Sequence, residues 1–394
     1  MKGGERMSHE IFGTDGTAER RTTSWLDLWT ERHLSEAGIF INGPNPWDPQ
    51  IHDRRALRRM ALGGTLGAGE SYMDGDWDCA SLDGLATRVL SSDFDKHLET
   101  FSRLSLKRLI EPFVNFQSRA FAEDNVRAHY DLGIELYTAM LGPTMTYSCG
   151  YWRQAKTLED AQNAKHELIC QKLNLRADMR VLDIGCGWGG FAKYAAERYG
   201  VHVTGVTLSR SQAQHAEKNC ADLPVEIRVQ DYRDVSGAFD RIVSIGMFEH
   251  VGPYNYRQFF ESVRTNLTWD GLFLLHTIGT LRSSREMNTW MARHIFPNAV
   301  LPSGSQIAQA SEGLLVQEDW HNFGADYDKT LMAWHSNFSS AKPLLLERYG
   351  DRFCRMWRYY LLTCAGAFRA RCTQLWQIVY SKHGVPGGYL RIGS

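Results

Sequence analysis

A chain of 394 residues is longer than a single hydrophobic core usually grows, so two domains are the starting expectation. A formal net charge of −1 speaks against a global attraction to nucleic acid, and eight cysteines without a C-x-x-C pair speak against a zinc knuckle or redox dithiol. A polar start and the lack of any apolar run near the ~20 residues of a membrane span point to a protein made and kept in the cytoplasm.

Residues 1–22, rich in Gly, Thr, Glu and Arg without periodicity, read as a disordered leader. From Thr23 to about Leu90 short mixed elements are expected. They are a helical run through Trp25, Leu28, Trp29 and Leu34, a strand-like Ile39-Phe40-Ile41, and a turn at Asn42-Gly43-Pro44. The glycine-rich stretch Ala61 to Asp78 reads as a turn-rich cap or interface, with a ligand-facing loop as the alternative. Phe101 to Phe121 mixes apolar residues with Arg103, Lys107, Arg108 and Arg119. Such a helix suits an anionic lipid surface, and it equally suits a linker with a solvated basic face. The helix breaker Gly142-Pro143 leaves Tyr147-Ser148-Cys149-Gly150 in a loop whose backbone and hydroxyl groups are free to bind a ligand. A helix follows from about Thr157 to Leu173.

The stretch Arg180-Val181-Leu182-Asp183-Ile184-Gly185-Cys186-Gly187-Trp188-Gly189-Gly190 reads as strand, tight turn and, from Phe191 to Tyr199, helix. Glycines supply the positive φ of the turn and let a ligand approach the backbone. Asp183 stands before them, where a carboxylate can face a cationic ligand, so S-adenosylmethionine is favoured over a nicotinamide dinucleotide. Strands then alternate with helices: Val201–Leu208, Val225–Val229, Phe239–Ile245 and Gly271–Thr277. The fold expected is α/β, a doubly wound and mostly parallel sheet, with a smaller and mainly helical amino-terminal domain. Ligands of such sheets gather at the carboxyl ends of the strands. That rim, with the 147–150 loop, makes the cofactor set Tyr147, Ser148, Asp183, Gly185, Gly187, Gly189, Thr207, Leu208, Gln212, Gln230, Asp231 and Tyr232. Thr207, Leu208, Ser209 and Gln212 stand where a nicotinamide dinucleotide would want a carboxylate, which weakens that alternative.

Residues 282–340 read as an irregular insert rich in aromatics: Trp290, Phe296, Trp320, Phe323, Tyr327, Trp334 and Phe338. Either a large substrate pocket or plain core accounts for them. Helices follow, with Arg348, Arg352 and Arg355 on a shared face.

The motifs VLDIGCGWGG, TYSCGYW, GVTLSRSQ, QDYRD, DRIVSIGMFEHVG, FLLHTIG, IFPN, LPS, EDWHNFGADYDKTLMAW and CAGAFRAR occur in this order. Through them the chain resembles bacterial cyclopropane-fatty-acyl-phospholipid synthases from about Trp25 to Trp376. The likeness includes the SYMDGDWD region, which the shorter mycolic acid cyclopropane synthases lack.

The resemblance implies methylene transfer from S-adenosylmethionine to the cis double bond of an unsaturated phospholipid. It implies a bicarbonate ion bound by Cys149, Glu249, His276, Ile278 and Tyr327, and labels Cys364 active as well. It also implies a homodimer, formed through an amino-terminal docking and dimerisation domain with a linker helix (23–120) beside a catalytic domain (121–394). The enzyme would bind the inner membrane surface reversibly, through the Phe101–Phe121 face or the Arg348/Arg352/Arg355 face. One departure is Ile134-Glu135, where relatives usually carry Asn-Asp; Tyr130 is retained.

The chemistry suits these residue types. Attack by the alkene on a sulfonium methyl leaves a very acidic carbocation, so a weak base in the right place suffices. Bicarbonate oriented by Glu249 and His276, and held by Tyr327 and backbone N–H groups of Cys149 and Ile278, meets that need. Glu249 itself is the alternative base. No thiol nucleophile is required, so Cys364 reads as a helix-packing residue. Other readings are a C-methyltransferase giving a branched or methylene-bearing chain, and a non-catalytic lipid- or cofactor-binding module.

Overall fold

The computed structural model describes residues 25–92, 133–285 and 287–392. The expected leader, the Phe101–Phe121 face and Tyr130 lie outside the described residues. Three helices come first, α1 (Trp25–Glu36), α2 (Arg55–Met73) and α3 (Leu82–Ser91), with a small antiparallel pair, β1 (Gln50–Ile51) and β2 (Trp77–Asp78). Helices α4 (Ile134–Leu141) and α5 (Leu158–Lys172) lead into the α/β body, α5 capped by the Thr157 hydroxyl.

The body alternates β3 (Arg180–Ile184), α6 (Gly190–Tyr199), β4 (His202–Thr207), α7 (Arg210–Asn219), β5 (Val225–Val229), β6 (Phe239–Ile245), α8 (Tyr256–Asn266) and β7 (Leu267–Thr280). Then come α9 (Thr289–His294), α10 (Gly304–Ser311), β8 (Val316–Asn322), α11 (Ala325–Ser340), α12 (Lys342–Tyr349), α13 (Asp351–Arg369) and β9 (Thr373–Ser381). The sheet order is β5-β4-β3-β6-β7-β9-β8; β5 through β7 run parallel and β9 is inserted antiparallel. The order reverses between β3 and β6, the place where open α/β sheets bind ligands.

Three sequence expectations are corrected here. Residues 282–340 are not irregular but carry α9, α10, β8 and α11. Ile39–Ile41 is not a strand; Ile39 is buried against Leu34 as the chain turns off α1. The stretch from Ala61 is mostly helix, since α2 runs to Met73 with one break at Gly64 (φ 54°, ψ −134°).

Glycine in α2 serves close approach as well as turning. A Cβ at Gly69 would lie 2.3 Å from the indole of Trp290, which is buried. Gly69→Val is therefore expected to cost about 1–3 kcal/mol through overpacking, read as a lower urea midpoint. An unchanged midpoint would contradict this contact.

Helices α2 and α3 lie on α13, and arginines fasten them there. Arg352 Nε donates to Asp74 at 2.9 Å, and Arg355 donates to the Tyr72 and Trp77 carbonyls at 2.7 and 2.9 Å. Arg355 also pairs with Asp78 at 2.8 Å, and Arg348 pairs with Glu135 at 3.0 Å. Arg348, Arg352 and Arg355, expected as a face for anionic headgroups, are thus each paired with an acid of this chain. Their charges are matched by Asp74 just after α2, Asp78 in β2 and Glu135 in α4.

Candidate active site

The carboxyl ends of β3 to β6 open into one cavity. All of the expected cofactor residues except Gly189 line it. Gly187 (φ 54°) sits in the turn, and a Cβ there would enter open space. Gly189 instead faces α7, where a Cβ would lie 2.9 Å from that of Ala216. One glycine leaves room for a ligand and the other for a helix.

Asp183 is buried, and its Oδ1 has no hydrogen-bond partner among the described residues. Burial pushes its carboxyl up to about 7, opposed by the nearby Lys165. Lys165 is fully buried, donates to Ser148 Oγ at 2.9 Å and is itself brought down to about 7 by burial. Beside it, burial keeps His166 neutral. At the other strand ends Thr207 Oγ1 donates to Gln212 Oε1 at 2.9 Å, and Asp231 takes a bidentate pair from Arg233 at 2.8 and 2.6 Å. Lys165, His166 and His250 line the cavity without having been singled out in the sequence. A signal existed for two of them: Gln162, Lys165 and His166 fall on the buried face of α5 with Ala161, Leu168 and Ile169. Polar residues inside an apolar stripe mark a site.

A second group lies at the ends of β6 and β7. A short 3₁₀ turn over Phe248–His250 carries Glu249 inward. Its Oε1 accepts from the Ile278 N–H at 2.7 Å, Oε2 has no partner among the described residues, and burial pushes the carboxyl up to about 7. His276 is buried two residues before Ile278, its Nδ1 meets Gln377 Nε2 at 3.2 Å, and its Nε2 is unpaired among the described residues. Burial, then Lys165 and Lys172, hold this imidazole neutral. Tyr327, on α11, is buried, and its hydroxyl is raised well above the ordinary value, first by desolvation and then by Cys149, Glu249, Tyr147 and Cys364 around it. The Cys149 thiol is fully buried, raised by desolvation, and donates to the Gly150 carbonyl at 3.1 Å.

Of the five residues of the expected anion site, Glu249 meets Ile278, and Cys149 and Glu249 act on Tyr327, while His276 stands two residues before Ile278 on β7; one expectation is corrected. The Ile278 N–H is engaged by Glu249 and is not a free donor for an anion; its role is to orient the carboxyl. Cys364, on α13, is a thiol that burial pushes up to about 12, which suits packing and not nucleophilic attack. Cys364→Ala is expected to keep kcat within about threefold of the parent in a lipid methylation assay. Removing a proton-exchanging group would cost ~10²–10⁴-fold, and a loss of that size would make Cys364 a reacting residue.

Aromatic rings surround this centre. The Tyr147 and Tyr360 hydroxyls are bonded at 2.8 Å, Tyr147 lies 5.2 Å from Trp334, and Tyr327 lies 4.5 Å from Phe368. Phe296 packs on Tyr360 at 5.7 Å. Of the rings between residues 282 and 340, Phe296, Phe323, Tyr327 and Trp334 join this wall, Phe323 at 6.0 Å from the His276 ring. Trp290 packs instead on Tyr359, and Trp320 on Trp376.

A family model described as Mycolic acid cyclopropane synthetase matches residues 117–378. Cyclopropane-fatty-acyl-phospholipid synthase from Escherichia coli is 51% identical over 365 residues, 93% of this chain and 95% of that one. Sphingolipid C9-methyltransferase A from Emericella nidulans is 32% identical over 333 residues, 80% of this chain and 64% of that one. Among solved structures, mycolic acid cyclopropane synthase CmaA1 complexed with SAH and CTAB is 33% identical with a TM-score of 0.62, covering 66% of this chain and 98% of that one. With identity at this level sustained along nearly the whole chain, and the fold shared, the protein belongs to the cyclopropane synthase family of S-adenosylmethionine-dependent methyltransferases.

Proposed function

We propose that this protein transfers a methylene group from S-adenosylmethionine to the cis double bond of an unsaturated phospholipid acyl chain, with a bound bicarbonate ion taking the departing proton. The observation that carries this reading is the buried trio Glu249, His276 and Tyr327, where Glu249 Oε2 and His276 Nε2 each lack a partner among the described residues.

S-adenosylmethionine fits the cavity on two counts: Asp183 offers a buried oxygen without a partner among the described residues for a cationic ligand, and Gly187 leaves open space where a Cβ would stand. Asp183, Thr207, Gln212 and Asp231 would hold it, and when bound it supplies an electrophilic methyl group. Bicarbonate carries one O–H donor and several acceptor oxygens. Glu249 Oε2 would accept that O–H, while His276 Nε2–H and the Tyr327 hydroxyl would donate to the acceptors. The aromatic wall excludes water and faces positive charge on carbon, each ring contributing ~0.5–2 kcal/mol.

The likeness to a sphingolipid C9-methyltransferase favours one other outcome, methyl transfer without ring closure. The test is incubation of purified protein with methyl-labelled S-adenosylmethionine and vesicles of unsaturated phospholipid. The expected product is a labelled acyl chain with cyclopropane proton signals, made at a rate that falls when bicarbonate is removed. No labelled lipid would overturn the activity, and a branched or methylene-bearing chain would favour the second outcome. A rate indifferent to bicarbonate would make Glu249 the base.

The lipid must be reached from the membrane surface, and no helix among the described residues is long and apolar enough to cross a membrane. We assign reversible docking, at the inner face of the cytoplasmic membrane, to the loop after β7. There Leu281 is 72% exposed beside exposed Arg282 and Arg285. Each arginine adds about 1 kcal/mol near anionic lipid. Sedimentation with anionic vesicles should weaken with salt, and unchanged binding by an R282E/R285E variant would place docking elsewhere. We assign homodimer formation to the amino-terminal region, within 23–120, leaving 121–394 as the catalytic unit.

A further inference from the structure

We infer that Gln377 is a positioning residue for the reaction, selecting the His276 tautomer whose Nε2–H faces the anion. This rests on the reading of His276 as a ligand of that anion.

In the sheet, β7, β9 and β8 are neighbours, and His276, Gln377 and His321 stand opposite one another in register. Cross-strand partners share a face, so three polar side chains form a row. Gln377 is fully buried in a strand that otherwise reads Leu375, Trp376, Ile378, Val379 and Tyr380 around it.

An amide there needs a reason, because burying one without full hydrogen bonding costs about 1–3 kcal/mol by mutational measures. Stability does not supply the reason. Gln377 Oε1 has no partner among the described residues, and the bond to His276 Nδ1 at 3.2 Å is the one its Nε2 makes. An amide nitrogen can only donate. With the amide nitrogen turned to the ring, Nδ1 accepts and the single proton of the neutral ring lies on Nε2, the atom without a partner among the described residues. The opposite tautomer would turn a lone pair toward the anion's oxygen. The charged groups around this ring are Lys165 and Lys172, and the latter donates to His321 Nδ1 at 3.0 Å and pairs with Asp319 at 3.7 Å.

Gln377→Glu keeps the shape and replaces the donor by an acceptor, which would draw the ring proton to Nδ1. Gln377→Leu removes the bond and leaves the tautomer free. We expect kcat to fall about 100-fold in the first and about tenfold in the second, with the KM for S-adenosylmethionine unchanged. Half-saturation by bicarbonate should move to higher concentration, and the pH–rate profile of Gln377→Glu should differ from the parent. A structural role would instead lower stability in both variants without separating kcat from KM.

The ring nitrogens of His276 in the ¹⁵N-labelled parent protein test the same point without substitution. Protonated Nε2 with bare Nδ1 is expected, and the reverse overturns the inference even where the variants fail to fold. His276→Ala separates the two levels. If it keeps the parental rate, the anion-site reading fails; if it loses rate while Gln377→Glu keeps it, the role of Gln377 alone is overturned.

Discussion

Glu249→Gln is expected to lower kcat by about 10²–10⁴-fold while leaving S-adenosylmethionine binding intact. The size follows from the hydrogen bonds available at that position. Oε1 already accepts from the Ile278 N–H at 2.7 Å, and the second oxygen, without a partner among the described residues, would meet a bound bicarbonate. An amide in its place can keep its oxygen on Ile278 and turn NH₂ toward the bicarbonate O–H, or do the reverse. Either way two donors face each other, and an unmatched buried polar pair is costly.

The same variant reads out pH. Burial raises the Glu249 carboxyl to about 7, so its accepting, ionised form grows as pH rises through that value. The parent should gain activity across this range, and the residual activity of Glu249→Gln should lack that limb. Stability moves the other way. A carboxyl raised above its unfolded value contributes stability that is fully present below the unfolded value and lost as pH rises through about 7. Glu249→Gln is thus expected to be more stable than the parent at pH 8, measured by thermal unfolding. Full activity in this variant would remove Glu249 from the site.

The parallel strands β3 to β7 were legible because each carries apolar residues at strand spacing and alternates with helices or turns, which local pattern reports directly. Strand β8 was not, since Val-Gln-Glu-Asp-Trp-His-Asn pairs on one side only, with β9, and carries the polar residues an edge strand tolerates. The arginines of α12 and α13 read as a face for anionic headgroups because their partners, Glu135, Asp74 and Asp78, are far away in the chain. Charge matching across that separation is a tertiary fact. Gly187 and Gly189 look alike as letters, and only the neighbouring Ala216 distinguishes the packing glycine from the one beside the ligand. Gln377 escaped for a different reason. One amide in an apolar strand is unremarkable until the register sets it opposite His276.

Asp183→Asn should weaken S-adenosylmethionine binding by about 10- to 100-fold, the scale of one hydrogen bond to a charged group. Asp183 Oδ1 is buried and unpaired among the described residues, so in the free protein the carboxyl is raised to about 7 by desolvation, against the opposing effect of Lys165. A cationic ligand favours the ionised form. Affinity in the parent should therefore rise as pH climbs through about 7 and level off above it. In the free protein the stability tied to this group is fully present below the unfolded value and is lost over the same climb, so added ligand should raise the melting temperature more at pH 8 than at pH 6. Asparagine carries the shape without the charge and should flatten both dependences. Calorimetric titration across this range, with melting curves in parallel, reads both. Parental affinity in the variant, or affinity that falls as pH rises, would mean that the unpaired oxygen faces nothing the ligand carries.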